Sequence, residues 1–517
     1  MRKLPIGIQN FEKLRTEGYV YVDKTALLFQ IANGGMYFFL CRPRRFGKSL
    51  MLSTLKAYFE GKKELFDGLA IMDLEKEWKA FPVLYLDLNT GVYDTVTSLK
   101  EVLGYHLSQW ERAYGITKTT DEIGVRFHNV ITTIGNTVGR KVVILVDEYD
   151  KPLLQAIDNE SLQNEFRVIL KAFYGNLKTC DEHIRFAMLT GGTRFSQISI
   201  FSDLNNLQDI SLDARFADVC GLTSGEIANS FPEHLESFAQ KENTDRADIM
   251  EQLRQMYDGY HFSEGMMKDI YNPFSLLNAL SEQMYRNYWF SSGTPTFLVR
   301  LLQKGRYYIQ DFSKGDILAN DLSGKESLMN EPIAMFYQTG YLTIKGFDKE
   351  FGNYRLGFPN KEVEQSFLRF LLPRAVGTTD NQSAYYIENF VRDLRKGDIN
   401  SFMERMKAFF ADTPYELIRD LENHYQNVMF CVCRLMGYHT EAEYRTSRGR
   451  IDMVVRAGGY SYIFEFKFGK SAQEALEQID TKDYTLPFTT DGTKLMKVGV
   501  NFSKETRNID DWLALTV

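Results

Sequence analysis

Near the carboxyl end, three residues have types and spacing suited to metal-assisted chemistry. Asp452 lies in Ile451-Asp-Met-Val-Val455, and Glu465 and Lys467 lie in Tyr462-Ile-Phe-Glu-Phe-Lys-Phe468, giving the pattern D-x12-E-x-K. Two carboxylates on adjacent strands can hold a hard divalent ion, Mg2+ above all, through oxygen. A lysine two places past the glutamate can orient or deprotonate an attacking water, while the ion polarises a phosphate and steadies the leaving oxygen. An E-x-K on a strand is also common as an exposed ion pair, so the weight rests on the apolar flanks and on Asp452.

A second constellation stands near the amino end. Arg42-Pro-Arg-Arg-Phe-Gly-Lys-Ser49 follows the apolar run Met36-Tyr-Phe-Phe-Leu-Cys41 and precedes a helical pattern over Leu50 to Phe59. Strand, glycine–lysine–serine turn and helix make a P-loop, whose backbone N–H groups (here of Arg45, Phe46 and Gly47) and helix N-terminus would hold the phosphates of ATP. Lys48 would reach the β- and γ-phosphates and Ser49 would ligate magnesium. The full motif wants glycine where Arg42 stands. Lys141-Val-Val-Ile-Leu-Val-Asp-Glu148 supplies the second half: Asp147 for magnesium and Glu148 to polarise the attacking water. Thr190, at the end of Ile184–Thr190, could sense the γ-phosphate, and Arg194 could act as a finger, within a subunit or between subunits of a homo-oligomer. The cluster Arg42, Arg44, Arg45 reads either as extra charge for the phosphates or as a solvated loop.

These side chains need rigid elements. Strands at 36–41, 83–88, 141–148, 184–190 and 219–222, alternating with helices, predict a parallel α/β sheet with its ligand at the strands' carboxyl ends. Residues 223–375 read as a helical lid and a winged-helix-like unit, with hairpin strands at 337–344 and 354–358; 376–420 read as a helical connector. At the carboxyl end, successive strand residues face opposite ways. Glu465 and Lys467 therefore share one face, and Phe464, Phe466 and Phe468 pack the other. Residues 440–445 and 451–455 are two further strands, 423–435 and 471–480 are helices, and 497–501 is the last strand. Arg448 and Arg450, in the basic turn, sit where a DNA phosphate could be met. The organisation expected is 1–222, 223–375, 376–420 and 421–517.

Composition bounds the rest. In 517 residues, 44% are hydrophobic and 25% charged, which suits globular domains rather than disorder. A net charge of −7 excludes a chain that binds nucleic acid over its whole surface. The five cysteines form no CxxC and no zinc-finger spacing, so a reduced, cytoplasmic setting is expected. No leader and no membrane span are expected.

The chain resembles a bacterial family of AAA-ATPase-like proteins with a PD-(D/E)XK nuclease domain at the carboxyl end. The likeness runs through Gly18-Tyr-Val-Tyr-Val-Asp-Lys-Thr25, Arg42–Ser49, Val146-Asp-Glu-Tyr-Asp-Lys-Pro152, Tyr257-Asp-Gly-Tyr260, Tyr271-Asn-Pro-Phe274, Thr446-Ser-Arg-Gly-Arg-Ile-Asp452, Phe464-Glu-Phe-Lys467 and Gly499-Val-Asn-Phe-Ser503. It implies that Arg42 is a family variation, that Glu422 is an additional acidic metal ligand, and that Gln478 is the auxiliary polar residue. The expectation is an ATP-regulated, magnesium-dependent nuclease acting on DNA, by analogy in defence or mobile-element biology. The alternative is a nucleotide-responsive nucleic-acid-binding or regulatory protein whose nuclease fold does not cut.

Overall fold

The computed structural model describes the chain apart from residues 195–199, 202–205, 267, 292–316, 320–321, 323–331, 377–379, 412–424, 426–427, 431 and 434–438. It forms two compact units, Met1–Arg306 with Ile317–Glu362 and Tyr307–Asp316 with Val363–Val517.

The first unit is built on a parallel sheet of β1 (Tyr37–Cys41), β2 (Val83–Asp87), β3 (Val142–Asp147), β4 (Ile184–Gly191) and β5 (Gln208–Asp209), in the order β2-β3-β4-β1-β5. Every residue of β1 and β3 is buried. A strand covered on both faces needs apolar side chains at every position, which is why these runs do not alternate. Amphipathic helices Val96–Ala113, Ile123–Val138 and Glu160–Tyr174 bury one face each. Phe127 and Phe173 stack between two of them with ring centroids 4.1 Å apart. The insertion of β4 between β3 and β1 separates the two halves of the P-loop constellation and opens a crevice at the carboxyl ends of those strands.

One expected strand is elsewhere. Residues 219–222 contribute only an isolated bridge, Leu222 to Tyr271, and the fifth strand is the two-residue β5. Helices Pro232–Glu242, Arg246–Tyr257 and Pro273–Glu282 then close around Leu235, Phe238, Leu253 and Leu276. The hairpin also begins later than its sequence suggests. Tyr337 and Gln338 end the helix Pro332–Gln338, and the strands are β7 (Thr343–Asp348) and β8 (Asn353–Gly357), with β6 (Ile317–Ala319) beside β8.

The second unit is a five-stranded mixed sheet of β9 (His439–Thr446), β10 (Gly449–Ala457), β11 (Tyr460–Phe468), β12 (Lys494–Ser503) and β13 (Asn508–Thr516), arranged in chain order. Only β11 and β12 are parallel, and the helix Ala472–Thr481 makes the crossover. One face, with Met453, Phe464, Phe466, Val498 and Phe502, packs on residues of helices Asp380–Lys396 and Ile399–Ala411. The other, with Val454 and Ile463, packs on Leu476 and Ile479 of the crossover helix. The final strand β13 was not among the expected elements. Among the described residues, no helix is long and apolar enough to cross a membrane.

Candidate nucleotide and metal sites

In the first unit, the chain leaves β1 at Cys41 and enters the helix Lys48–Phe59. Arg45 (φ 70°) and Gly47 (φ 95°) are left-handed, and alternating hands turn successive N–H groups into an anion-binding concavity. Arg45, Phe46, Gly47, Lys48 and Ser49 line a cavity of about 490 Å3, together with Glu148, Asn89 and Lys24. Lys48 is 3% exposed and its ammonium lies 3.0 Å from Glu148 Oε1. It also donates to the carbonyl oxygen of Arg42 at 3.0 Å. Burial pulls this ammonium down, but the Glu148 and Asp147 carboxylates outweigh it and hold Lys48 above the usual lysine range. Glu148 takes a left-handed φ of 55°, a strained conformation of the kind kept at functional positions.

Asp147 is buried at the end of β3, where it accepts the Thr190 hydroxyl at 2.9 Å and the Tyr85 hydroxyl at 3.4 Å. Thr190 is thus brought to Asp147, and neither of the two is among the cavity's lining residues. Arg194 is not brought to the cavity either. Its guanidinium pairs with Asp209 at 2.6 Å and its backbone N–H donates to Gln338 at 2.8 Å. The loop that carries it is shaped by buried Asp150, which accepts the N–H groups of Gly192 and Thr193.

Arg42 follows neither reading of the arginine cluster. It is fully buried, with its guanidinium donating to the carbonyl oxygens of Cys41 (2.9 Å), Ser211 (2.8 Å) and Phe216 (3.1 Å) and lying 4.2 Å from the Phe262 ring centre. The arginine in the first Walker position braces the loop from below. Arg44 lies over Trp289 and Arg45 over Phe274.

In the second unit, Asp452 and Glu465 are brought together by the β10–β11 register. The ladder pairs Met453 with Phe464, so the next rung sets Asp452 opposite Glu465. There the Asp452 side chain takes over from the main chain, accepting the Phe466 N–H at 2.8 Å. Lys467 donates to Glu465 Oε1 at 3.1 Å and to Gln478 Oε1 at 2.6 Å, and the Gln478 amide donates back to Glu465. Gln478 reaches the sheet because its helix rides close to β12. A Cβ on Gly499 would stand 2.3 Å from the Ala472 carbonyl oxygen.

Glu465 is 2% exposed, and its second oxygen, Oε2, has no hydrogen-bond partner. Burial, then the Asp452 charge, push this carboxyl up to about 7 against the pull of Lys467. An orphaned buried acceptor beside a second carboxylate is the donor set a hard cation satisfies, so the residues fit Mg2+. Among the described residues no group of three or more acidic, histidine or cysteine side chains converges, and Glu422 lies outside the described residues. Arg448 pairs with Asp483, and Arg450 pairs with Glu443 at 3.1 Å; both arginines are exposed at the β9–β10 turn.

Sequence reasoning assigned no role to Lys24, although it lines the cavity. The available signal was the Val22-Asp-Lys-Thr25 run just before a helix.

Comparison with known proteins agrees with both halves. The AAA-ATPase-like family model, described as a predicted AAA-ATPase, matches residues 5–201, and that of the PD-(D/E)XK nuclease superfamily matches 420–512. A protein of Azotobacter chroococcum mcd 1, named as an uncharacterized protein in the vnfD 5′ region, is 36% identical over 526 residues and 98% of each chain. With the sheet order, the P-loop and the Asp452–Glu465–Lys467 grouping in place, the chain belongs to the AAA-ATPase-like proteins that carry a PD-(D/E)XK nuclease superfamily domain at the carboxyl end.

Proposed function

We propose that the chain is an ATP-regulated, magnesium-dependent nuclease acting on DNA. The observation that carries this reading is the buried, unpartnered Glu465 oxygen beside Asp452, with Lys467 and Gln478 on the same face. Asp452 and Glu465 would hold the ion, and bound Mg2+ would polarise the phosphodiester and steady its leaving oxygen. Lys467, tethered to both Glu465 and Gln478, orients the attacking water. Arg448 and Arg450 would exchange their surface carboxylates for backbone phosphates, which gives a chain of net charge −7 the local positive charge that DNA binding requires.

In the first unit, ATP would set its phosphates on the Gly47–Ser49 turn and Lys48, with Ser49 and Asp147 as magnesium groups. Lys48, now paired with Glu148 at 3.0 Å, would hold the γ-phosphate, and Glu148 would then be left to orient water. Occupancy would in turn regulate the nuclease unit.

Plasmid and single-strand cleavage with Mg2+, with and without ATP, tests the reading. Lys467→Ala should lower cleavage by about a hundredfold or more. Lys48→Ala should keep basal cleavage and lose the response to ATP. Failure to cut any substrate with Mg2+ or Mn2+ would favour a nucleotide-responsive binding protein with an inactive nuclease fold.

A further inference from the structure

The P-loop supplies part of the lining of the 490 Å3 cavity, and an apolar part of that lining has no role yet. It comes from the amino-terminal segment, with Ile6, Ile8 and Val22, and from Leu277 of the helix Pro273–Glu282. Such an apolar wall suits a flat heterocycle, and the volume lies in the range of sites that enclose a whole small ligand. Lys24, two residues after Val22, belongs to the same lining and lies outside the P-loop.

The local structure is built to hold Lys24 still. Asp23 Oδ1 accepts the Thr25 N–H (2.8 Å) and hydroxyl (2.6 Å), and Asp23 Oδ2 accepts the Ala70 N–H (2.7 Å). Thr25 Oγ1 accepts the Ile71 N–H at 3.1 Å. The flanking aspartate and threonine are thus spent on the backbone, and only the lysine between them is left to act. Its ammonium lies 2.5 Å from Glu226 Oε1 with 11% of the side chain exposed. Glu226 is itself fixed, because its other oxygen closes a capping box on Thr223 at 2.8 and 3.0 Å. The ammonium is otherwise without a hydrogen-bond partner in the described structure. A buried ammonium carries three N–H donors, and a single carboxylate oxygen leaves donor capacity unused.

We propose that Lys24, oriented by Glu226, is the specificity contact for the nucleoside end of the nucleotide, donating to an acceptor atom of the base or ribose. This rests on the nucleotide reading given above and adds to it a division of labour. Lys48 and the turn hold phosphates, and the Asp23–Lys24–Thr25 run recognises what the phosphates are attached to.

The test compares ATP with inorganic tripolyphosphate, both with Mg2+, by calorimetric titration of the full chain. Lys24→Met should weaken ATP about tenfold or more and leave tripolyphosphate unchanged, while Lys24→Arg should restore much of the loss. Glu226→Gln, which keeps an acceptor but loses the charge, should show a smaller loss in the same direction. Wild-type ATP affinity in a Lys24→Met chain with an unchanged melting temperature would overturn the proposal. So would equal weakening of both probes, because Lys24 would then be a phosphate contact. If the unaltered chain bound neither probe, the nucleotide reading itself would fall, and that result is separate from the other two.

Discussion

Arg42 occupies the position where a phosphate-binding loop usually carries its first glycine, and its side chain has become scaffold. Returning that position to the usual residue should therefore harm the protein. Arg42→Gly would strip four backbone carbonyls, those of Cys41, Ser211, Phe216 and Ala217, of their donor and leave a void under the loop. The expected cost is more than about 3 kcal/mol in urea unfolding, with ATP affinity falling rather than rising. Glu362 is a second residue with a measurable signature. Burial pushes its carboxyl up to about 7, while one oxygen accepts the Trp289 N–H at 2.7 Å. The unfolded chain gives up this proton near 4.5, so between that pH and 7 the folded state binds the extra proton. Stability from this group is intact below the window, falls through it, and stays reduced above it. Glu362→Gln should match the wild type near about pH 5 and exceed it near about pH 8, by at most about 3 kcal/mol in thermal unfolding. Which residues could be read in advance follows from the range of their partners. Glu465, Lys467 and the three phenylalanines sort by simple alternation along one strand, and the Lys48–Glu148 meeting is implied by the two halves of the P-loop pattern. The bracing role of Arg42 depends on carbonyls at Ser211 and Phe216, far along the chain, and no local pattern announces it.

Elements with a strong period or a continuous apolar run were legible, and short or irregular ones were not. β1, β3 and β4 each present such a run and lie within a residue or two of where the sequence puts them. β5 has two residues, which is too few for any period. Its place was given to the more apolar 219–222, whose residues instead line the cavity at the P-loop. The early start assigned to β7 has a similar cause, since Tyr337–Ile344 is apolar enough for a strand while Pro332 opens a helix through Gln338. The crossover helix Ala472–Thr481 was foreseen, but not its closeness to the sheet. Gly499 permits that closeness, and Gln478 depends on it. Gly499→Ala should lift the helix by forcing its Cβ against the Ala472 carbonyl oxygen. Cleavage should fall together with the melting temperature, by a degree set by overpacking of about 1–3 kcal/mol, while ATP binding by the other unit stays unchanged.

At the scale of the whole molecule, two units with separate cores carry the two candidate sites. With a net charge of −7, the proposed recognition of DNA would fall to local features, such as the arginines of the β9–β10 turn. The order of the first sheet has a consequence for how the protein is made. β1 lies between β4 and β5, so the strand that feeds the P-loop waits for partners synthesised about 150 residues later. At translation rates of roughly 5–20 residues per second, that is a delay of roughly 8 to 30 seconds. Throughout it, Tyr37–Cys41, buried at every position in the folded chain, has neither neighbour yet available. The strand that leads into the P-loop turn is translated ahead of both its neighbours, and it cannot reach its final pairing until β4 and β5 have followed.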